Sequence, residues 1–220
     1  MLVLLPPSEG KTQPEAGGLV DLGSLAFAEE LGERREQLLD AFDLGLREKS
    51  AAPAAEVYTG VLFKRLELPE LSAEARRQVL VASALWGVVR PEDRIPYYKF
   101  PPKTRLEGIG PPAAYWRPAL TAALPDEEGD LVVDMRSGAY ATFWKPRRAT
   151  LLPVRAFTES GGERKAVSHM AKAVRGDVAR VLLTAKKAPA DPEGAAAIAE
   201  GAGFAVELND GNLDVIVQDA

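Results

Sequence analysis

Seven side chains from separate segments could together hold a negatively charged molecule and act on it: Lys11, Arg90, Ser137, Tyr140, Ser168, Lys172 and Arg175. Lysine and arginine clamp anions, hydroxyls donate to them, and lysine or tyrosine can move a proton. Lys11, Tyr140, Ser168 and Lys172 are the candidates for a catalytic role, and the reaction itself is not readable from them. Lys11 sits in the loop Pro6–Thr12, after a short apolar run. Lysine at the carboxyl end of an opening strand is well placed to meet an anion. Gly10-Lys11-Thr12 has the flavour of a phosphate loop, but the nucleoside-triphosphate spacing needs a glycine at position 5, which is leucine. Ser137-Gly138-Ala139-Tyr140 follows a predicted strand ending at Asp134, where a helix start offers free N–H groups. Ser168, Lys172 and Arg175 fall at i, i+4 and i+7 and would share one helix face. Gly176 costs that helix about 1 kcal/mol relative to alanine. Its presence signals the close approach of another backbone or of a ligand.

A second set of residues points to nucleic acid. The segment Leu106–Ala114 carries Gly108 and Gly110 and looks like the hairpin of a helix-hairpin-helix module, where glycines let backbone N–H groups reach a phosphate. The other reading is a Gly-Pro turn that opens a helix, because Pro101 and Pro102 disfavour a helix upstream. Lys145, Arg147 and Arg148 begin a basic stretch. Residues 136–187 hold 12 basic and 3 acidic residues, a net of +9, against −7 before and −7 after, within an overall charge of −5. Such a stretch can gather on one surface and bind phosphates or carboxylates, or be covered by its acidic neighbours.

Other chemistries are excluded or weak. The chain has no cysteine, which removes disulfides, thiolate metal sites and cysteine nucleophiles. Its one histidine, His169, cannot build a histidine-rich metal site. An iron site would rest on carboxylates such as Asp134, Asp210 and Asp214, the weakest of the readings, so no metal and no cofactor are expected. No run approaches about 18 apolar residues, so no membrane partner is expected. The apolar start Met1–Leu5 is too short for a signal segment and reads as a buried strand of a cytoplasmic protein.

Strands are predicted at Leu2–Leu5, Val79–Leu85, Ile95–Phe100 (an edge), Leu131–Asp134, Thr150–Phe157 and Lys165–Ser168. Helices are predicted over 33–47, after Gly60 to Leu66, from Ser72 as cap to Gln78, from Pro111 to Leu124, from Met170 to Thr184, and from Asp191 to Gly201 or Gly203. A short helix should run from Ser137 to Phe143, Ala51–Ala55 reads as a break, and Gly161-Gly162 as a turn. Asn209-Asp210-Gly211-Asn212 between two apolar runs is a hairpin signature. The mixture predicts one α/β or α+β domain over residues 1–220, with a mixed sheet.

Several motifs, in order, resemble the YaaA family of bacterial peroxide-stress proteins. They are the Pro7–Thr12 loop, Tyr58-Thr59-Gly60, Ser83–Pro91 with Asp93 and Pro96-Tyr97, and Tyr115-Trp116. Ser137 with Tyr140, Lys145-Pro146, and Ser168, Ala171, Lys172, Arg175 and Gly176 complete the series. The resemblance implies a compact, bowl-like α/β domain with a curved mixed sheet flanked by helices and a positively charged cleft. It implies cytosolic protection against peroxide linked to lowering free iron, with DNA binding through a helix-hairpin-helix-like element. It adds Thr59 to the anion-binding set. This chain departs from the pattern at Tyr98-Lys99, where an Arg-Leu pair is common, and at Glu9-Gly10. Two functions follow. In one, Lys145, Arg147, Arg148, Lys172 and Arg175 hold the phosphates of double-stranded DNA beside Gly108 and Gly110. In the other, an enzyme acts on a small anionic ligand in the same cleft.

Overall fold

Val3, Leu4 and Leu5 are completely buried because the strand they form lies at the centre of the sheet and is paired on both sides. The chain is a computed structural model, and it describes residues 1–42, 45–105, 108–136, 138–160, 163–166 and 170–218. The first half contains β1 (Leu2–Leu5), α1 (Ala28–Ala41), β2 (Ala51–Pro53), α2 (Ala54–Val57), α3 (Val61–Leu66), α4 (Ala73–Arg77), β3 (Val79–Ser83), β4 (Gly87–Val89) and β5 (Arg94–Pro96). The second contains α5 (Pro112–Ala123), β6 (Leu131–Asp134), β7 (Thr150–Ser160), β8 (Glu163–Ala166), α6 (Ala171–Thr184), α7 (Pro192–Gly201), β9 (Ala205–Asn209) and β10 (Asn212–Gln218). The main sheet runs β4-β3-β1-β6-β7-β10-β9, and β8 pairs with the far half of β7. β3, β1, β6, β7 and β10 are parallel, whereas β4 and β9 close the two ends antiparallel. The expected mixed α/β sheet flanked by helices is therefore present. Continuous apolar runs suit its central strands because helices cover both faces.

The departures from expectation have local causes. The first helix runs over 28–41 rather than 33–47. Its buried stripe is Leu31, Arg35, Leu38 and Leu39, and a buried arginine hides that stripe from a hydrophobicity count. Arg35 earns its place by donating to the carbonyls of Trp86 (3.1 Å), Ala26 (2.8 Å) and Val88 (3.0 Å). The strand expected over Val79–Leu85 stops at Ser83. There the Ser83 hydroxyl accepts the N–H of Leu85 (3.2 Å) and Trp86 (3.1 Å) and turns the chain into β4. Ala51–Ala55 is not a break but β2 followed by α2. β2 pairs with β5 in a separate two-stranded sheet, and β5 is shorter than the predicted Ile95–Phe100 edge. The strand expected over Lys165–Ser168 is β8, two residues earlier.

Gly176 answers the question its position raises. A Cβ there would lie 2.4 Å from the Leu62 carbonyl oxygen and 2.8 Å from the Arg65 Cβ. The close approach is backbone, not ligand: α6 packs on α3 nearer than any side chain permits. That contact fixes the first turns of α6 beside Gly60–Leu62.

Candidate functional site

The sheet reverses its order of construction between β1 and β6. From β1 the chain goes on to β3 on one side, and from β6 it goes on to β7 on the other. The loops leaving the carboxyl ends of these neighbouring strands part, and the crevice between them is where parallel α/β sheets bind ligands. The first loop holds Ser8, Glu9, Gly10 and Lys11. The second holds Tyr140, within a short 3-10 turn over Gly138–Thr142.

The first loop is locked to the chain between α2 and α3. The Gly60 N–H donates to Ser8 Oγ (2.6 Å), the Thr59 N–H to the Gly10 carbonyl (3.0 Å), and the Thr12 N–H to the Val57 carbonyl (2.9 Å). Gly60 is required here, since a Cβ would sit 2.3 Å from Ser8 Oγ. Lys11 Nζ donates to the Ser8 carbonyl (2.5 Å) and faces the rings of Tyr98 (4.6 Å) and Tyr58 (5.7 Å). Burial drives its pKa down to about 8, partly countered by the charge of Glu9. The facing rings also favour the ammonium form.

Below Lys11 lies a buried chain of hydroxyls. Tyr58 and Tyr98 share a hydrogen bond (2.7 Å), and Ser83 Oγ lies 2.8 Å from the Tyr98 hydroxyl. Ser83 already accepts two backbone N–H groups, so its own proton goes to Tyr98. Burial pushes Tyr98 up to about 12 and Tyr58 well above the usual phenol range. Tyr140 is raised by burial first and then by Tyr98 and Glu9. All three phenols keep their protons at neutral pH.

A cavity of about 330 Å³ opens between the loops, lined by Ser8, Glu9, Gly60, Tyr140, Lys172 and Arg175 among others. Lys172 is exposed and stands 3.6 Å from the exposed Glu9 carboxylate. Arg175 is half-buried, and its Nε donates to the Val154 carbonyl (2.9 Å). Val154 is the residue at which β7 passes the end of β6, so the carbonyl on that edge has lost its strand partner. Burial lowers the Arg175 pKa and the Asp134 charge opposes this. Asp134 is itself held by a buried bidentate contact from Arg136 (2.8 and 2.9 Å), which also donates to the Trp144 carbonyl (2.8 Å). This pair holds the start and end of the segment that carries Tyr140. A hollow of similar size, about 360 Å³, between α4 and α6 is lined by Glu70, Glu74, Arg180 and Lys186, and gathers no set of one charge.

A family model described as peroxide stress protein YaaA matches residues 24–208. The chain belongs to this family. It is 38% identical over 244 aligned positions to a UPF0246 protein of Streptomyces coelicolor, covering 94% of this chain and 92% of that protein. It is 36% identical to a UPF0246 protein of Corynebacterium efficiens and 32% identical to one of Corynebacterium glutamicum, each match covering 98% of both chains. The resemblance read from the motifs is thereby shown.

Of the residues singled out in this YaaA-family chain, the structure brings Tyr140, Lys172 and Arg175 to one crevice, and holds Lys11 and Thr59 behind its Ser8–Gly10 wall, Lys11 on the Ser8 carbonyl and Thr59 on the Gly10 carbonyl. Ser137, Ser168 and His169 lie outside the described residues, as does the predicted Gly161-Gly162 turn. Arg90 does not join them. It follows the antiparallel β4, so it returns to the amino end of β3, where its guanidinium donates to the Arg77 carbonyl (2.8 Å) and faces Phe27. Lys145, Arg147 and Arg148 precede β7 and lie at the amino end of the sheet. There Asp126 accepts the N–H of Arg147 and Arg148 (both 2.8 Å) and of Ala149 (2.9 Å), and Glu127 pairs with Arg148 (3.0 Å). Gly108 and Gly110 take positive φ values of 72° and 91° in the turn before α5, and residues 97–105 upstream form no helix. Of the three carboxylates weighed for iron, Asp134 is held by Arg136 and Asp214 by Arg155 (2.6 and 2.7 Å), while Asp210 sits at a hairpin tip. Among the described residues no group of three metal-ligating side chains occurs. Nor is any described helix long and apolar enough to cross a membrane. Sequence reasoning missed Tyr98 as a site residue and undervalued Tyr58, Ser83 and Ser8. The usable signal was that Tyr58 and Ser83 fall inside recurrent motifs.

Proposed function

We propose that this YaaA-family protein binds a small anionic ligand, bearing a phosphate or carboxylate, in the crevice between the β1 and β6 loops, and serves the peroxide-stress role of its family through that ligand. One observation carries the reading. Lys172 and Arg175 line a cavity of about 330 Å³, Lys11 stands behind the loop that forms its wall, and Glu9 is the one carboxylate among the lining residues. The volume suits a metabolite. The peroxide connection cannot run through thiol chemistry, since the chain has no cysteine. A duplex held through Lys145, Arg147, Arg148, Gly108 and Gly110 has less support. Asp126 pins the backbone of that run, Glu127 pairs with Arg148, and the protein carries −5 overall. We also read residues 1–220 as one domain, on the strength of a single contiguous core, and the protein as cytoplasmic.

Calorimetric titration with inorganic phosphate, pyrophosphate and a short DNA duplex tests this. We expect phosphate or pyrophosphate to bind, Lys172→Ala to weaken that binding about tenfold, the size of one charge-assisted contact, and Arg147→Ala with Arg148→Ala to leave it unchanged. Binding of the duplex alone, lost in the Arg147/Arg148 variant, would overturn the reading.

A further inference from the structure

We propose that Lys11 is a reactive amine that condenses with the carbonyl group of an anionic aldehyde or keto acid held in this crevice. The inference rests on the anion-binding reading and names the class of ligand within it.

Lys11 is placed unlike the exposed lysines of the chain. Among the described residues no carboxylate lies within 4 Å of its Nζ, and its one hydrogen-bond acceptor is the Ser8 carbonyl. Two tyrosine rings flank it and hold the amine in an apolar setting. Lys172, by contrast, is exposed and pairs with Glu9. The cations that attract the ligand and the amine that can attack it are therefore separate groups. Lys172 and Arg175 take the phosphate or carboxylate. Lys11 stands behind the Ser8–Gly10 wall with its Nζ on the Ser8 carbonyl, so the carbonyl that it attacks is one reaching past that wall. Tyr140 lines the same cavity and keeps its proton, so it can donate a hydrogen bond to the carbonyl oxygen. A simple solvated lysine needs none of this, and burial would be a cost without return.

The chemistry balances without an oxidant or a metal. The neutral amine adds to the carbonyl carbon, and the oxygen takes up a proton to give a carbinolamine. Nitrogen loses its proton, the hydroxyl leaves as water, and an imine remains. The amine must be neutral for this step, and a pKa of about 8 instead of 10.5 leaves roughly two hundredfold more free amine near pH 7.5. Lower basicity takes back about tenfold in nucleophilicity on the Brønsted slope that thiolates follow. A rate advantage of about tenfold over an exposed lysine should survive.

The test uses the intact protein with pyridoxal 5′-phosphate, an aldehyde carrying a phosphate, and with pyridoxal, which lacks it. Each is followed by borohydride reduction and peptide mass mapping. We expect Lys11 to be modified by pyridoxal 5′-phosphate about tenfold faster than Lys186 and Lys187. Inorganic phosphate should slow the reaction, pyridoxal should show little preference, and Lys11→Arg should remove the adduct. Modification of Lys11 no faster than that of Lys186 and Lys187 overturns the inference. Calorimetry with phosphate on the same sample separates the two failures. If phosphate binds and Lys11 is inert, the amine is not reactive. If phosphate neither binds nor protects, the anion site itself falls.

Discussion

Two basic regions of this molecule differ in what their charges meet. At the carboxyl end of the sheet, Lys172 and Arg175 line an open crevice with Lys11 behind its wall and Glu9 as the nearby acid. At the amino end, Lys145–Arg148 is denser in positive charge along the chain, yet Asp126 accepts the backbone N–H of Arg147, Arg148 and the adjoining Ala149, and Glu127 pairs with the Arg148 side chain. Charge counted along a sequence therefore says little about charge available to a ligand. What matters is whether the fold brings acidic residues from another segment to the same place. The supports differ too. The crevice rests on buried contacts, the Asp134–Arg136 pair and the Gly176 packing, whereas the basic run is held by a carboxylate near solvent.

The sharpest way to break this contrast is Asp134→Ala. It leaves the Arg136 guanidinium buried and unpaired, and removing one partner of such a pair costs about 3–5 kcal/mol. Urea unfolding should show that loss. At permissive temperature the variant should also lose phosphate binding, because the segment carrying Tyr140 has lost its anchor. Gly176→Ala comes next. Its methyl group would meet the Leu62 carbonyl, and forcing α3 and α6 apart should cost about 1–3 kcal/mol. A stabilised Gly176→Ala variant would contradict the packing described.

The supports were only partly visible in the sequence. β1 and β6 were legible as short continuous apolar runs, the β9–β10 hairpin by its Asn-Asp-Gly-Asn turn, and α6 by apolar residues at helical spacing. Gly176 stood out by its propensity cost, but nothing local said whether a ligand or α3 lay against it. Arg35 and Tyr98 were illegible for one shared reason. Both are polar side chains satisfied by partners far along the chain, Arg35 by carbonyls near Trp86 and Tyr98 by Tyr58 and Ser83. Arg90 misled because its distance from Lys11 depends on β4 running antiparallel to β3, a three-residue strand that a Trp-Gly turn conceals. The convergence of Lys172 and Arg175 followed from helical spacing. Their meeting with Lys11 and Tyr140 needed the strand order, which no local pattern carries.

A smaller effect sharpens the comparison from the other end. The three N–H donors depress the Asp126 carboxyl below its ordinary value. A folded-state pKa below the unfolded one adds stability above the unfolded value, and that stability is lost as pH falls through the folded value. Acid unfolding curves of wild type and Asp126→Asn should therefore converge below about pH 4 and separate above it. Sulfate or phosphate affinity at neutral pH should be the same in both, since Asp126 lies at the opposite end of the sheet. Loss of affinity in Asp126→Asn would mean that the two basic regions communicate.

The smallest expected effect concerns Lys11 and separates its two roles. As pH rises through about 8 the ammonium loses its proton, and with it one of the charges that favour an anion in the crevice. Sulfate, which does not titrate in this range, should bind more weakly at pH 9 than at pH 7. The change should be about two- to fivefold, the size of one partly screened charge pair. Imine formation should move the other way over the same interval, since it needs the free amine. By linkage, sulfate binding near pH 8 should draw in protons and give a binding enthalpy that depends on the buffer. Lys11→Met should flatten both profiles, and Arg148→Met should change neither. Parallel pH profiles for sulfate affinity and imine formation would show that one titrating group cannot account for both, and would assign the anion dependence to a group other than Lys11.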